Sequence, residues 1–128
     1  MPQIVHLEDD NPLREIFIIA LQSYDPNIEC IQFANSNELM EFVDQSIEAN
    51  DFKAKVFVLD IRVPGKYNGL QVAEKLRELG LQMPIIMTSA YQKPAKSHMD
   101  QLQLMWMPKP WHVLNAAQTI APLAYDSV

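Results

Sequence analysis

Four clusters of polar residues in this chain each close a short apolar run. Glu8, Asp9 and Asp10 follow "IVHL", Asp60 ends "VFVLD", Thr88 and Ser89 end "PIIMTS", and Lys109 follows "LMWMP". Brought together, the carboxylates would repel and raise one another's pKa. A divalent cation relieves that conflict, and clustered carboxylate oxygens with backbone carbonyls suit Mg2+. A lysine adds a point charge for an anion, and a hydroxyl adds a hydrogen bond. Around one carboxylate, that set suits a phosphoryl group in transit, where catalysis is positioning and charge neutralisation. Aspartate is a known class of nucleophile for such a group.

These groups meet only if the chain folds so as to gather them. Apolar runs at 4–7, 28–33, 55–60, 83–90 and 104–107 read as strands. Between and after them, residues 12–23, 35–49, 69–80, 94–103 and 110–121 carry helical spacing. Pro12 suits a first turn, "NSN" at 35–37 supplies N-cap residues, Gly80 marks a stop and Pro122 ends the last helix. Strands that are apolar throughout, alternating with helices, imply an α/β fold with a parallel sheet covered on both faces. Ligands gather beyond the C-terminal ends of such strands. That is where all four clusters fall.

The totals exclude several classes. With 128 residues the chain is expected to be one domain with a proper core. A net charge of −6, with basic residues scattered, argues against a nucleic-acid surface. The stretch "MPQIVHLEDD" does not read as a signal peptide, and no run is long enough to span a membrane. A lone cysteine, Cys30, forms no internal disulfide and fits a reducing cytoplasm.

The motifs "LEDD" at 7–10, "LDIRVPG" at 59–65, "PIIMTSA" at 84–90 and "PKP" at 108–110, in this order and each at a strand end, resemble a response-regulator receiver domain of two-component signalling. The resemblance covers essentially the whole chain. It implies a five-stranded parallel sheet of flavodoxin-like (βα)5 type with strand order 2-1-3-4-5. It also implies roles. Asp60 would be the phosphoacceptor and Lys109 would pair with the phosphoryl group. Ser89 rather than Thr88 would be the switch hydroxyl. Mg2+ would be held by Asp9, Asp60 and the Arg62 carbonyl, with Glu8 acting through water. The Lys109–Pro110 peptide is expected to be cis. Trp106 stands where the family usually has Tyr or Phe, three residues before the lysine, and with the last helix would offer a face to a downstream partner. Arg62 and Tyr91 would flank the path of an attacking water. The implied function is a stand-alone switch, taking a phosphoryl group from a histidine kinase or a histidine phosphotransfer protein. The chain ends soon after the fifth helix, so the expectation is residues 1–128 as a single receiver without an output domain.

Three departures stand out. Gly69 is the ninth residue after Asp60, one later than usual, so that loop is expected to bulge. Trp106 is an indole, and Pro94 is expected to truncate the fourth helix. Other residues have plainer roles. Asp10 reads as a helix cap, His6 as a satisfied core histidine, and His98 and His112 as helix-surface residues, none with the neighbours of a phosphorelay donor. Three other functions compete. A receiver that signals without phosphorylation is the main alternative. An aspartyl phosphatase would want an acid where Arg62 stands. A flavodoxin would want Ser, Thr and Gly after strand one, not "EDDNP".

Overall fold

Side chains alternate sides along the third strand, and both sides are apolar. That pattern demands cover above and below, and the structure supplies it. The structure is a computed structural model that describes residues 1–125; the last three residues of the expected domain, 126–128, lie outside the described residues. Strands β1 (Gln3–Leu7), β2 (Glu29–Phe33), β3 (Ala54–Asp60), β4 (Ile85–Ser89) and β5 (Leu104–Pro108) form one parallel sheet in the order 2-1-3-4-5. From β3, Val56 and Val58 enter a core with Ile4, Phe17, Leu21, Ile28 and Ile120, beneath helices α1 (Asn11–Tyr24) and α5 (Val113–Ile120). Phe57 and Leu59 enter a second core on the other face, with Leu7, Leu39, Val43, Val72 and Leu76, beneath α2 (Ser36–Glu48) and α3 (Gly69–Glu78). Cys30 packs against the first core, where burial pushes its thiol up to about 12. No helix among the described residues is long and apolar enough to cross a membrane.

Helix starts follow the capping residues. Asp10 Oδ1 accepts from the Leu13 amide at 3.1 Å, and Pro12 lies in the first turn of α1. Asn35 caps α2, and Asn68 caps α3 in a reciprocal pair with Gln71. Helix α4 (Lys96–Leu102) is short, in keeping with Pro94 just before it, and among the described residues no side chain caps it. Its far end is held instead by Arg77, whose guanidinium donates to the carbonyls of Leu102, Gln103, Leu81 and Met83.

The last helix differs from the reading of 110–121. It starts at Val113, because His112 is its N-cap, with Nδ1 accepting from the Asn115 amide at 3.3 Å. His112 is thus a cap and not a mid-helix surface residue. Pro122 does not stop the chain's winding. It sits in a 3-10 turn, Ala121–Ala124, that continues α5. The Lys109–Pro110 peptide is cis.

Candidate functional site

The sheet order sets β1 beside β3, so the acids that close these two strands meet at one rim. Oxygens of Glu8, Asp9 and Asp60 lie within 4.8 Å of one another. Lys109 reaches in from the end of β5. Its Nζ donates to Asp60 Oδ2 at 2.9 Å and to Glu8 Oε1. Glu8 and Asp60 are buried, Asp9 is exposed, and Lys109 keeps only 15% of its side chain in solvent. Burial pushes the Glu8 carboxyl up to about 7, against the pull of Lys109 and of the Asp10 amide on Oε2. Burial also works against the Lys109 ammonium, but its bonds to Glu8 and Asp60 outweigh that and hold it above its ordinary value.

The loop from β3 to α3 passes over this pocket. The Arg62 amide lies 3.4 Å from Asp60 Oδ1. Where the loop returns, Gly69 is obligatory, since a Cβ there would stand 2.1 Å from the Asp60 carbonyl oxygen. The Arg62 guanidinium stacks on Tyr91, 3.8 Å from the ring centroid, so the loops after β3 and β4 touch across the mouth.

A model of the response regulator receiver domain matches residues 4–107. The chain belongs to that family. Over 85 residues it is 32% identical to the response regulator protein TodT of Pseudomonas putida, covering 66% of this chain and 34% of TodT. The chain therefore spans about a third of the length of the curated relatives it matches. A CheY-like receiver domain protein from Methanospirillum hungatei superposes with a TM-score of 0.78 at 20% identity, over 98% of this chain and 95% of that one. The response regulator TrrA of Thermotoga maritima, in complex with Mg(2+)-BeF, gives 0.75 at 22% identity, over 96% and 99%. At such identities the two structures establish the fold alone.

The receiver's expected site residues fall at the rim, but not all reach the pocket. Asp60, Lys109, Glu8 and Asp9 come together. Three carboxylates form a hard oxygen donor set that fits a Mg2+ ion. Asp9 is the freest of them, because both Glu8 oxygens are already engaged. Ser89 ends β4, buried, with its hydroxyl accepting from the Tyr91 amide at 3.0 Å and not bonded to Asp60. Thr88 Oγ1 accepts from the Trp111 indole at 2.9 Å. Trp106 is half-buried against the α2–α3 core, on the opposite face of the sheet from Trp111.

Several contributors escaped the sequence reading. Arg14 donates to the Glu8 carbonyl at 2.7 Å, and its own carbonyl accepts from Gln32. Gln32 Nε2 also meets His6 Nδ1 at 3.0 Å. His6 is fully buried against Phe17 and Trp111, yet its Nε2 has no partner among the described residues, so there the histidine is only half satisfied. The spacing of Arg14, four residues and so about one helical turn past Asp10, was a usable signal. The pairing of Gln32 with His6 depends on the register of β1 with β2, which pairs those two positions.

Proposed function

We propose that this receiver is a phosphoryl-accepting switch, loaded by a phosphohistidine donor on a histidine kinase or histidine phosphotransfer protein. The observation that supports it best is Lys109 bridging Asp60 and Glu8 beside the exposed carboxylate of Asp9. In this reading an Asp60 oxygen attacks phosphorus, the P–N bond to the donor imidazole breaks, and the imidazole leaves. Asp9, Asp60 and the Arg62 carbonyl would hold Mg2+, with Glu8 acting through water. The ion would supply charge neutralisation on the phosphoryl oxygens. Lys109 would then exchange its Asp60 contact for the phosphoryl group, and Ser89 would leave the Tyr91 amide to donate to it. Trp106 and the α5 face would carry the change to a protein partner. The reading places the chain in the cytoplasm, where a lone, half-buried thiol stays reduced.

The test is incubation with Mg2+ and phosphoramidate, followed by intact mass. The wild type is expected to gain one acid-stable, base-labile phosphoryl group, and Asp60→Asn none. Labelling that survives Asp60→Asn would remove Asp60 from the role.

A further inference from the structure

The loop after Asp60 is fastened at two separate places. At its root, the Ile61 amide donates to the Thr88 carbonyl at 3.0 Å, and the Gly69 amide to the Ile61 carbonyl at 2.9 Å. At its tip, the first turn of α2 holds it. The Ser36 amide donates to the Pro64 carbonyl at 3.0 Å, the Tyr67 amide to Ser36 Oγ at 3.0 Å, and the Lys66 amide to Asn37 Oδ1 at 2.9 Å. Ser36 is fully buried in this contact. The approach is close enough that a Cβ on Gly65, which takes φ +117°, would stand 2.3 Å from Ser36 Oγ.

Only Arg62 and Val63 lie between the anchor at Ile61 and the anchor at Pro64. Val63 packs against the α2–α3 core, so the Arg62 backbone has fixed neighbours on both sides. We infer that Ser36 and Asn37 are positioning residues for the metal site: from α2 they fix the Arg62 backbone at the lip of the acid cluster and so set cation affinity. Mg2+ demands near-octahedral geometry, so a carbonyl that wanders is a ligand lost. Helix capping does not account for the arrangement, since Asn35 performs it by accepting from the Glu38 amide. Capping and bracing therefore rest on different side chains of one turn and can be separated.

The inference rests on the metal reading above. Its test is a calorimetric titration of the full chain with MgCl2, with amide exchange at Lys66 and Tyr67 as a metal-free readout. Asn37 is exposed, so Asn37→Ala should fold. It is expected to weaken Mg2+ binding on the order of ten-fold and to speed exchange at Lys66. Asn37→Asp keeps the acceptor and should restore both. Ser36→Ala should act in the same direction, with faster exchange at Tyr67. Asn35→Ala loses the cap but keeps the brace, and should bind Mg2+ as the wild type does. If Ser36→Ala and Asn37→Ala bind Mg2+ unchanged, or Asn35→Ala weakens it equally, the inference is overturned while the metal reading stands. A wild type that binds no Mg2+ overturns the metal reading, and the inference with it.

Discussion

Neighbouring acids in the "EDD" run do different work. Asp9 is exposed beside the pocket, while Asp10 accepts from the Leu13 amide as the cap of α1. Asp9→Ala is therefore expected to abolish Mg2+ binding and phosphoryl labelling. Asp10→Ala should cost about 1 kcal/mol of stability and leave both intact. Reversed outcomes in titration and melting would shift the register of the acidic run by one. His6 carries a second expectation. Burial, helped by Lys109 and Arg14, lowers its pKa from 6.5 to about 3. The unfolded chain takes up that proton below pH 6.5, and the native chain does not until about pH 3. Its contribution is thus complete above pH 6.5 and drains away as pH falls toward 3. Glu8 runs the other way in the metal-free protein, since its raised pKa makes stability fall as pH rises from 4.5 to about 7. Urea denaturation at a series of pH values should show wild type losing roughly 1 kcal/mol per pH unit relative to His6→Leu below pH 6.5. A gap that does not change with pH would contradict this.

Two loops rather than one form the mouth of the pocket, joined by Arg62 on Tyr91. On the phosphoryl-switch reading, both side chains would stand beside the path of a water attacking in line at Asp60. Arg62→Ala and Tyr91→Ala are each expected to speed loss of the phosphoryl group several-fold. The double variant should fall short of the product of the two, because either single change already breaks the stack. Unchanged or slower decay of labelled protein would remove the loops from that role. The elements themselves were largely legible. Apolar runs and caps such as Asp10 and Asn35 located the strands and helix starts, because those signals are local. The start of α5 was not legible, since His112 is an unusual cap and "PWHV" reads as helix either way. Nor was the brace of the β3–α3 loop. "NSN" announces a helix start, but that Ser36 also binds Pro64 and Tyr67 depends on a contact between distant parts of the chain.

Across the whole molecule, the sheet separates two apolar layers, and each contains one of the tryptophans. Trp111 is tied to Thr88 in the α1–α5 layer, while Trp106 is half-buried in the other and has no such tie. Adding Mg2+ with beryllofluoride to a Trp111→Phe variant is expected to shift tryptophan emission toward a more buried indole. Ser89→Ala should weaken the shift, and Trp106→Phe should remove it. Binding of the mimic without any response would leave Trp106 in a single rotamer. The direction of the strands has another consequence. Every strand runs toward the pocket, so β1 begins at the opposite end of the molecule, where the Pro2 carbonyl accepts from the Glu29 amide. The 3-10 turn closes at that end too, with Leu123 and Ala124 lining a cavity with residues that lead into β3 and β4. Tyr125 meets Asp25 just beyond the last turn of α1. A bead, tag or sensor surface attached at residue 1 or at Tyr125 would therefore present the rim that holds Asp60 outward. Immobilised through either end, the protein should be labelled by phosphoramidate as readily as it is in free solution.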